Sequence, residues 1–392
     1  MTQPRNFGFG EDETILRDSV RKFLADNASV EALRRLVARD HKQAYESAVP
    51  PAPWDEGLWQ QMVELGWPAL TVPEADGGLG LGAVELAVVV EELGRAVAPG
   101  PFLPTTTQFV PLVRELGTTE QRACFLGGVA EGSITGTLAL VEPGHGVGLA
   151  GLTTTATETA DGLVLDGTKE FVLEGQSVDE VAVVARLGSS AADDALAVCV
   201  VPAADVTIEP LHPFDATRGL ARVLLDGVTV PADRVLGTPG SVTALGVERA
   251  LHEAAMGVAV ECVGTCQVMF DITLDYAKQR EQFGVPIGSF QAIKHKFADL
   301  LVALEKARAS AYFAALTIAE DDERRAIASS AAKVAAADCE RAMSKEGIQL
   351  HGGIGYTWEH DMHLYVRRAK SDSLLIGSPG EHRERIARAL GL

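Results

Sequence analysis

The chain has 392 residues, of which 47% are apolar, and this length predicts two or three domains with sizeable cores. Acidic residues outnumber basic ones by 54 to 34, and the net charge of −20 argues against nucleic acid or an anionic membrane as a main partner. No uncharged apolar run of about 18 residues occurs, so the sequence predicts no membrane span.

The cysteines and the amino terminus indicate a reduced, cytoplasmic protein. None of the five cysteines forms a C-x-x-C pair. Cys262 and Cys266 are one helical turn apart, a spacing that could suit a metal, but small buried side chains on a helix are the favoured interpretation. We therefore expect no metal site. The first residues, MTQPRNFGFGEDE, are polar and acidic, unlike a secretory signal or a transit peptide.

Residues 1–132 are predicted to form a helical domain. Apolar residues recur at helical spacing from Ile15 to Leu24, a second helix surrounds Met62, and a third covers residues 83–97. The glycine-rich PEADGGLGLG between the last two does not spell G-x-G-x-x-G, and no strand and helix frame it. This excludes a dinucleotide-binding Rossmann loop at that point.

Residues 133–240 change character and predict a central β domain. Short β-branched runs alternate with turn residues, which favours a small antiparallel barrel or sandwich. The predicted strands are LVLDGTKEFVL, EVAVVARL, ALAVCVVP, VTIEP and RVLLDGVTVP.

Residues 241–392 are predicted to be helical again. Long periodic patterns favour a four-helix bundle, so the predicted fold class is α+β with helical, β and helical domains in that order. The predicted helices cover residues 243–279, 291–317, 326–348 and 380–390.

A first candidate site lies in YAKQREQFGVPIGSFQAIKHKFADL, residues 276–300. Arg280 stands at the end of a predicted helix, and Phe283 stands at the turn that follows. An Arg fork beside backbone amides suits a pyrophosphate, and an aromatic ring at a turn can flank a planar group. The alternative is that Arg280 is an ordinary helix C-terminal cation and Phe283 a core residue.

A second candidate site lies in QLHGGIGYTWEHDMHLYVRRAK, residues 349–370. Gly352, Gly353 and Gly355 follow a helix and would let the backbone approach a ligand closely. The alternative is a flexible helix end.

Together these segments carry a family resemblance. The R-x-x-F-G-x-P-I-x-x-F-Q and Q-x-x-G-G-x-G-Y runs, about 70 residues apart, resemble the C-terminal domain of acyl-CoA dehydrogenases. WQQMVELGWPALTVPEADGGLGLGAVELAVVVEELGR resembles the same family near the amino terminus, as does the pairing of VEPG with DGTKEFVLEGQSVDEVAVVAR in the middle. The resemblance spans essentially the whole chain in one consistent order.

The resemblance implies an N-terminal helical domain, a central β domain and a C-terminal four-helix bundle. It implies FAD between the β domain and the bundle, a neighbouring subunit that completes the site, and a homo- or heterotetramer. By motif position, Arg280, Phe283 and Gln291 are expected on the adenine-diphosphate side of FAD. Gln349, Gly352 and Gly353 are expected to reach the FAD of the partner subunit.

The central domain departs from the family pattern. Phe171 stands where the family usually has Trp against the flavin, and Val141 and Leu173 stand where it usually has hydroxyl residues. Val147 replaces a usual Ser near the substrate. We still expect the first three, and Ser378 in the C-terminal part, among the cofactor-binding residues, with fewer polar contacts to the ring.

The reaction implied by the resemblance is α,β-dehydrogenation of an acyl-CoA thioester, with electrons passed to an electron-transfer flavoprotein. A carboxylate takes the α-proton. The position that most members give to this Glu holds Ile376, and the position that a minority uses holds Ala254. Glu253 is its neighbour, turned by about 100° on a helix.

Glu253 is therefore the preferred candidate base, with Glu261 and Glu248 on the same helix as alternatives. A solvated or ion-paired glutamate is the structural alternative for all three. Three functions stay open: an active dehydrogenase, a non-catalytic partner subunit of a heterotetrameric dehydrogenase, and a flavin oxidase or monooxygenase on the same fold. GYTWEHDMHLYVRRA and GEHRERIA resemble actinobacterial members, which favours a branched or polycyclic acyl-CoA as substrate.

Overall fold

The computed structural model describes residues 10–38, 54–188, 196–237 and 244–392. The described chain divides into two compact units. The helical unit contains residues 10–34, Ala83–Ala98 and Ala255–Leu392, and the β unit contains the described parts of Arg35–Gly82 and Pro99–Ala254. The predicted boundary at residues 240 and 241 and the first nine residues lie outside the described residues.

The amino-terminal third is helical, and two of its helices begin at caps that the sequence encodes. The Asp55 carboxylate accepts from two backbone N–H groups at the start of α3, and Thr118 with Gln121 forms a capping box at the start of α7. The helices are α1 (Glu11–Asn27), α2 (Val30–Ala38), α3 (Glu56–Glu64), α4 (Ala83–Ala96), α5 (Phe102–Pro104), which continues through a π-helical turn (Thr105–Phe109) into α6 (Val110–Leu116), and α7 (Thr119–Ala130).

The β unit is built on one seven-stranded sheet. Its strands follow the order β1-β4-β2-β3-β7-β6, with β5 also paired to β4. The β1–β4 and β2–β4 pairs are parallel and the others antiparallel. Buried Val, Leu and Ala side chains from one face form the core. The strands are β1 (Gly136–Ala139), β2 (Thr155–Glu158), β3 (Gly162–Leu173), β4 (Glu180–Leu187), β5 (Leu196–Pro202), β6 (Thr207–Pro210) and β7 (Leu220–Pro231).

The carboxyl-terminal part has five helices in the described residues, one more than predicted. The additional helix is α11, and a two-stranded hairpin separates the first two helices. The elements are α8 (Ala244–Gln279), β8 (Glu281–Gln282), β9 (Val285–Pro286), α9 (Gln291–Ala319), α10 (Arg325–His351), α11 (Met362–Leu374) and α12 (Pro379–Ala389). The predicted fold class, with helical, β and helical segments in that order, is confirmed.

Within the helical unit, α4 crosses α8 at two glycines. A Cβ at Gly94 would lie 2.2 Å from the Glu261 carbonyl oxygen, and a Cβ at Gly264 would lie 2.0 Å from the Glu91 carbonyl oxygen. Only glycine permits backbones to approach this closely. The crossing therefore depends on both residues.

Helix α4 also carries two consecutive buried acids, and each is paired with an arginine from another helix. Glu92 accepts two hydrogen bonds from Arg21 of α1, at 2.6 and 2.9 Å. Glu91 accepts from Arg308 and from the Tyr312 hydroxyl of α9, at 3.1 and 2.7 Å. Because buried charges require partners, these pairs specify which helices pack against α4.

Among the described residues, α8 is the one helix long and apolar enough to cross a membrane, and 78% of its most apolar window is buried inside the protein. Its Cys262 and Cys266 are buried, as the sequence predicts for core residues. No group of metal-ligating side chains occurs in the part of the chain that the structure describes.

Candidate active site

Arg280 lies at the junction between α8 and the β8–β9 hairpin, and Phe283 lies in the turn of that hairpin. Phe283 and Gly284 form the turn, both with positive φ, at +55° and +80°. The Phe283 ring is 92% exposed, so the alternative that it is a core residue is wrong. Arg280 is exposed and makes no ion pair with any described residue. The chain thus exposes a cation at the end of α8 and an aromatic ring at the turn of the hairpin, three residues apart in sequence.

The amide and glycine candidates are also exposed. Gln291 begins α9, and Gln349 stands near the end of α10. Gly352, with φ of +67°, and Gly353 follow in a short 3-10 turn, and a Cβ at either would meet no atom within 4 Å. At Gly353 φ is not left-handed, so neither backbone conformation nor packing within the described chain requires glycine there. The space is open to something from outside the chain.

In the β unit, Phe171 and Leu173 differ in exposure. Strand β3 bulges between Lys169 and Val172, and Phe171 on this bulge has φ of +55° and is 52% exposed. Leu173 is 2% exposed, and its carbonyl accepts from the Thr137 hydroxyl at 2.7 Å. A ligand could reach the Leu173 side chain only if the residues that cover it moved.

Val141, which is half-buried, is tied to the bulge. Its carbonyl accepts from the Glu170 N–H at 2.8 Å. Val147, in the loop between β1 and β2, is buried. The β3 bulge and Val141 are therefore joined by a hydrogen bond between backbone groups.

The residues that follow Val141 and precede the bulge, Glu142 and Lys169, form an ion pair that the sequence does not predict. Lys169 Nζ donates to Glu142 Oε1 at 2.7 Å, and both side chains are fully buried. Burial acts to raise the pKa of Glu142, but hydrogen bonds from Lys169, Thr154 and Thr153 outweigh it and lower that pKa to about 2. Burial lowers the pKa of Lys169 to about 8, against the opposing effect of Glu142.

The candidate base Glu253 is 2% exposed in the first third of α8 and pairs with Arg114 of α6. Arg114 Nη1 also donates to the Thr71 carbonyl at 3.4 Å. Burial opposes the charge of Arg114, but Glu253 outweighs it and raises the pKa of Arg114. A second pair, Arg249 to Glu115, joins the same two helices at 2.7 Å.

The alternative bases are placed differently. Glu261 accepts from Arg368 at 3.0 Å in the core of the helical unit, and the Arg368 side chain is completely buried. Glu248 is exposed near the start of α8. Of the three, Glu261 has the contacts of a structural residue and Glu248 those of a solvated one.

Ile376 lies in a tightly held loop between α11 and α12. Its φ of +55° is unusual for a β-branched residue. Lys333 Nζ donates to the carbonyls of Asp372 and Leu375 at 2.5 and 2.7 Å, and His382 Nε2–H donates to the Ile376 carbonyl at 2.8 Å.

Burial, together with the positive charge of Lys333, lowers the pKa of His382 to about 4. Its Nδ1 therefore accepts from the Ser330 hydroxyl, at 3.3 Å. Ser378 caps α12 in a reciprocal pair with Glu381. A role of Ser378 toward a cofactor stays a prediction.

Comparison with known proteins shows a family. The model for the acyl-CoA dehydrogenase N-terminal domain matches residues 10–133, and the model for the C-terminal domain matches residues 246–391. The acyl-CoA dehydrogenase IpdE2 of Mycobacterium tuberculosis is 34% identical over 374 residues, which cover 95% of each chain.

Two solved structures are similar over almost the whole chain. The "Tcur3481-Tcur3483 steroid ACAD" is 29% identical with a TM-score of 0.84, and covers 97% of this chain and 98% of that one. The ChsE4-ChsE5 complex from Mycobacterium tuberculosis is 25% identical with a TM-score of 0.87, and covers 98% and 99%.

Members of the matched family are FAD-dependent flavoproteins, and the chemistry of the exposed residues fits that cofactor. The cation of Arg280 suits a diphosphate, the Phe283 ring suits a planar group, and the open space at Gly352 and Gly353 admits a close approach. On the β unit, Phe171 offers a second exposed ring. Arg280, Phe283, Gly352, Gly353 and Phe171 each remain predicted cofactor-binding residues.

Proposed function

Because the chain belongs to the acyl-CoA dehydrogenase family, we propose that it dehydrogenates an acyl-CoA thioester between the α and β carbons and passes the electrons to an electron-transfer flavoprotein. The observation that carries the proposal is the match to both family domains along one chain, with nearly complete coverage of IpdE2. The exposed cation, rings and glycines described above support FAD as the bound group. When bound, FAD supplies the two-electron acceptor.

Glu253 is the proposed base for the α-proton. Of the three candidate carboxylates, it alone is both buried and paired with a cation that is itself partly exposed, since the Arg114 side chain is 24% exposed. Arg114 would fix the direction of the carboxylate, and the Arg249–Glu115 pair would hold α6 against α8. The chain's own contribution is thus a positioned proton acceptor in a desolvated environment.

A second function is favoured by a specific observation. Ile376 stands at the position where the resemblance expects a Glu, and isoleucine cannot accept a proton. Both solved relatives cited above carry names that pair two chains. In this alternative the chain is a partner subunit of a heterotetrameric dehydrogenase and contributes to the FAD site of a related, base-carrying subunit.

The name "steroid ACAD" of one relative supports a bulky polycyclic acyl-CoA as the substrate class. We further propose a tetrameric assembly in the cytoplasm.

The decisive experiment is a visible absorbance spectrum of the purified chain, followed by anaerobic addition of acyl-CoA thioesters with straight, branched and polycyclic acyl groups. Bleaching of the flavin band is expected if the chain is an active dehydrogenase. A yellow protein that no thioester bleaches, or a colourless one, would contradict a stand-alone enzyme. Bleaching that appears only after co-purification with a related chain would establish the partner function.

Variants at Glu253 separate catalysis from stability. Glu253→Gln should abolish bleaching, whereas Glu248→Gln, at an exposed position on the same helix, should leave it intact. Glu253→Leu combined with Arg114→Met removes both charges of the pair and avoids an uncompensated buried charge. If this double variant is folded and still bleached at the wild-type rate, Glu253 is not the base.

The rate at which oxygen reoxidises the reduced flavin tests the third candidate function, a flavin oxidase or monooxygenase. A dehydrogenase should keep its reduced flavin for a long time in air and lose electrons quickly to an electron-transfer flavoprotein. Fast reaction with oxygen would instead indicate an oxidase or monooxygenase on the same fold.

A further inference from the structure

A buried ion pair in the β unit has no role in the reaction as proposed. Glu142 and Lys169 have no solvent-exposed side-chain surface. Taking two charges out of water is costly, so a buried ion pair often adds little to the stability of a protein. We therefore expect this pair to act by holding neighbouring segments of the chain in place.

Glu142 joins the two ends of the loop between β1 and β2. Its Oε2 accepts from the N–H and the hydroxyl of Thr153, at 2.5 and 2.7 Å, and its Oε1 accepts from the Thr154 N–H at 2.9 Å. Residue 142 precedes the loop and residues 153 and 154 follow it. One carboxylate thus closes the loop that contains Val147.

Lys169 joins this closed loop to the bulge of β3. Besides Glu142, its Nζ donates to the Leu140 carbonyl at 3.2 Å. Lys169 is the last regular residue before the bulge, and Phe171 on the bulge adopts a positive φ that costs energy for a side chain with a Cβ. Such a backbone conformation persists only where the surrounding residues fix it. The buried ammonium of Lys169 lies two residues before Phe171 and is well placed to do so.

We propose that Glu142 and Lys169 are positioning residues that fix the β1–β2 loop and the Phe171 bulge in the conformation that receives the flavin. The inference rests on the proposed function, with FAD as the bound group, and on the prediction that Val141 and Phe171 are among the residues that bind it. Neither residue of the pair touches the cofactor in this proposal. Removal of the ammonium frees the bulge while the sheet stays intact.

The test compares two ion-pair deletions in the same unit. Lys169→Met keeps most of the stem and removes the charge. Arg234→Met removes the cation of the Arg234–Glu180 pair, whose two hydrogen bonds are both 2.9 Å, at a position remote in sequence from the bulge. Both should lower the melting temperature.

Only Lys169→Met should weaken the dissociation constant for FAD, measured by titration of the apoprotein with free FAD, by about tenfold or more, the effect of one lost hydrogen bond to a charged group. A change within about twofold, in a folded Lys169→Met protein, would overturn the proposal.

Amide hydrogen exchange gives a readout that does not depend on the cofactor. In Lys169→Met the N–H groups of Thr153, Thr154 and Glu170 should lose at least about tenfold of their protection, because their acceptors are no longer held. In Arg234→Met the same amides should keep it. If wild-type protein binds no FAD but the exchange pattern appears, the proposed cofactor site fails while the positioning role stands.

Unchanged protection in Lys169→Met refutes the role regardless of FAD. Should Lys169→Met not fold, Thr153→Val removes only the hydroxyl hydrogen bond to Glu142. Its expected effect is a smaller rise in the FAD dissociation constant, about threefold, with loss of protection confined to the loop. Wild-type affinity and protection in Thr153→Val would then count against the proposal.

Discussion

Acidification should destabilise the helical unit through His382. The structure holds this imidazole neutral, with a pKa of about 4 against an ordinary value of 6.5. Because the folded pKa is the lower one, the unfolded chain binds the extra proton first as the pH falls. The stability contributed by neutral His382 is thus complete above pH 6.5 and is lost between pH 6.5 and about 4.

The loss amounts to about 3 kcal/mol, since each pKa unit corresponds to about 1.4 kcal/mol. For a chain of 392 residues this equals about 4 °C in melting temperature, at about 2.1 cal/mol/K of unfolding entropy per residue. Melting curves of wild type and His382→Gln should be recorded from pH 8 to 4. Glutamine can still donate to the Ile376 carbonyl but cannot be protonated in this range. As the pH falls from 6.5 to 4, the melting temperature of the wild type should therefore drop by about 4 °C relative to that of His382→Gln.

Carboxylates that titrate in the same range affect both proteins equally and cancel in the difference. If the two curves stay parallel from pH 8 to 4, His382 is not held neutral and the reasoning fails.

Two further predictions concern backbone geometry. Gly264→Ala should destabilise the protein by about 1–3 kcal/mol, because the new Cβ would overlap the Glu91 carbonyl. The control Gly380→Ala, whose Cβ meets only the Ser378 hydroxyl at 3.7 Å, should be neutral or stabilising by up to about 1 kcal/mol. Equal melting temperatures for the two variants would contradict the close crossing of α4 and α8. At Ile376 the alanine variant should be less stable than the glycine variant, the reverse of the usual order, because φ is +55°. Ile376→Gly should exceed Ile376→Ala in stability by about 1 kcal/mol. Chemical denaturation that finds the alanine variant more stable would rule out the left-handed backbone.

The long helices and strands could be predicted because hydrophobic periodicity marks them. The pattern predicted residues 243–279 and 291–317, and the structure has helices at Ala244–Gln279 and Gln291–Ala319. The sequence did not predict helix α11 because its buried face mixes residue types: Arg368 and Asp372 are completely buried on the same helix as Met362, Leu364 and Tyr365. Charged residues at buried positions interrupt the apolar periodicity by which a helix is detected in a sequence.

The candidate site was predictable only where local sequence determines it. The turn at Phe283 and Gly284 and the glycines after α10 follow from residue type, and the structure has both. The pairs that support the site join residues 27 positions apart in Glu142–Lys169 and 139 apart in Arg114–Glu253. Such pairings arise from the tertiary fold, and no spacing in a single sequence encodes them.

The two possible positions for a base, residues 376 and 253, carry different structural signals. Ile376 occupies a loop that Lys333 and His382 fix through three carbonyls, in a backbone conformation that isoleucine adopts at a cost.

The restraint is understandable if the loop shapes the wall of an acyl-CoA site although residue 376 is an isoleucine and not a glutamate. Glu253 then becomes the deciding residue: as a base it makes the chain self-sufficient, and as a mere partner of Arg114 it leaves the chemistry to a related subunit. In the second case the double variant at Glu253 and Arg114 would leave the activity of the assembled pair unchanged, whereas in the first it would remove the proposed proton acceptor and abolish activity.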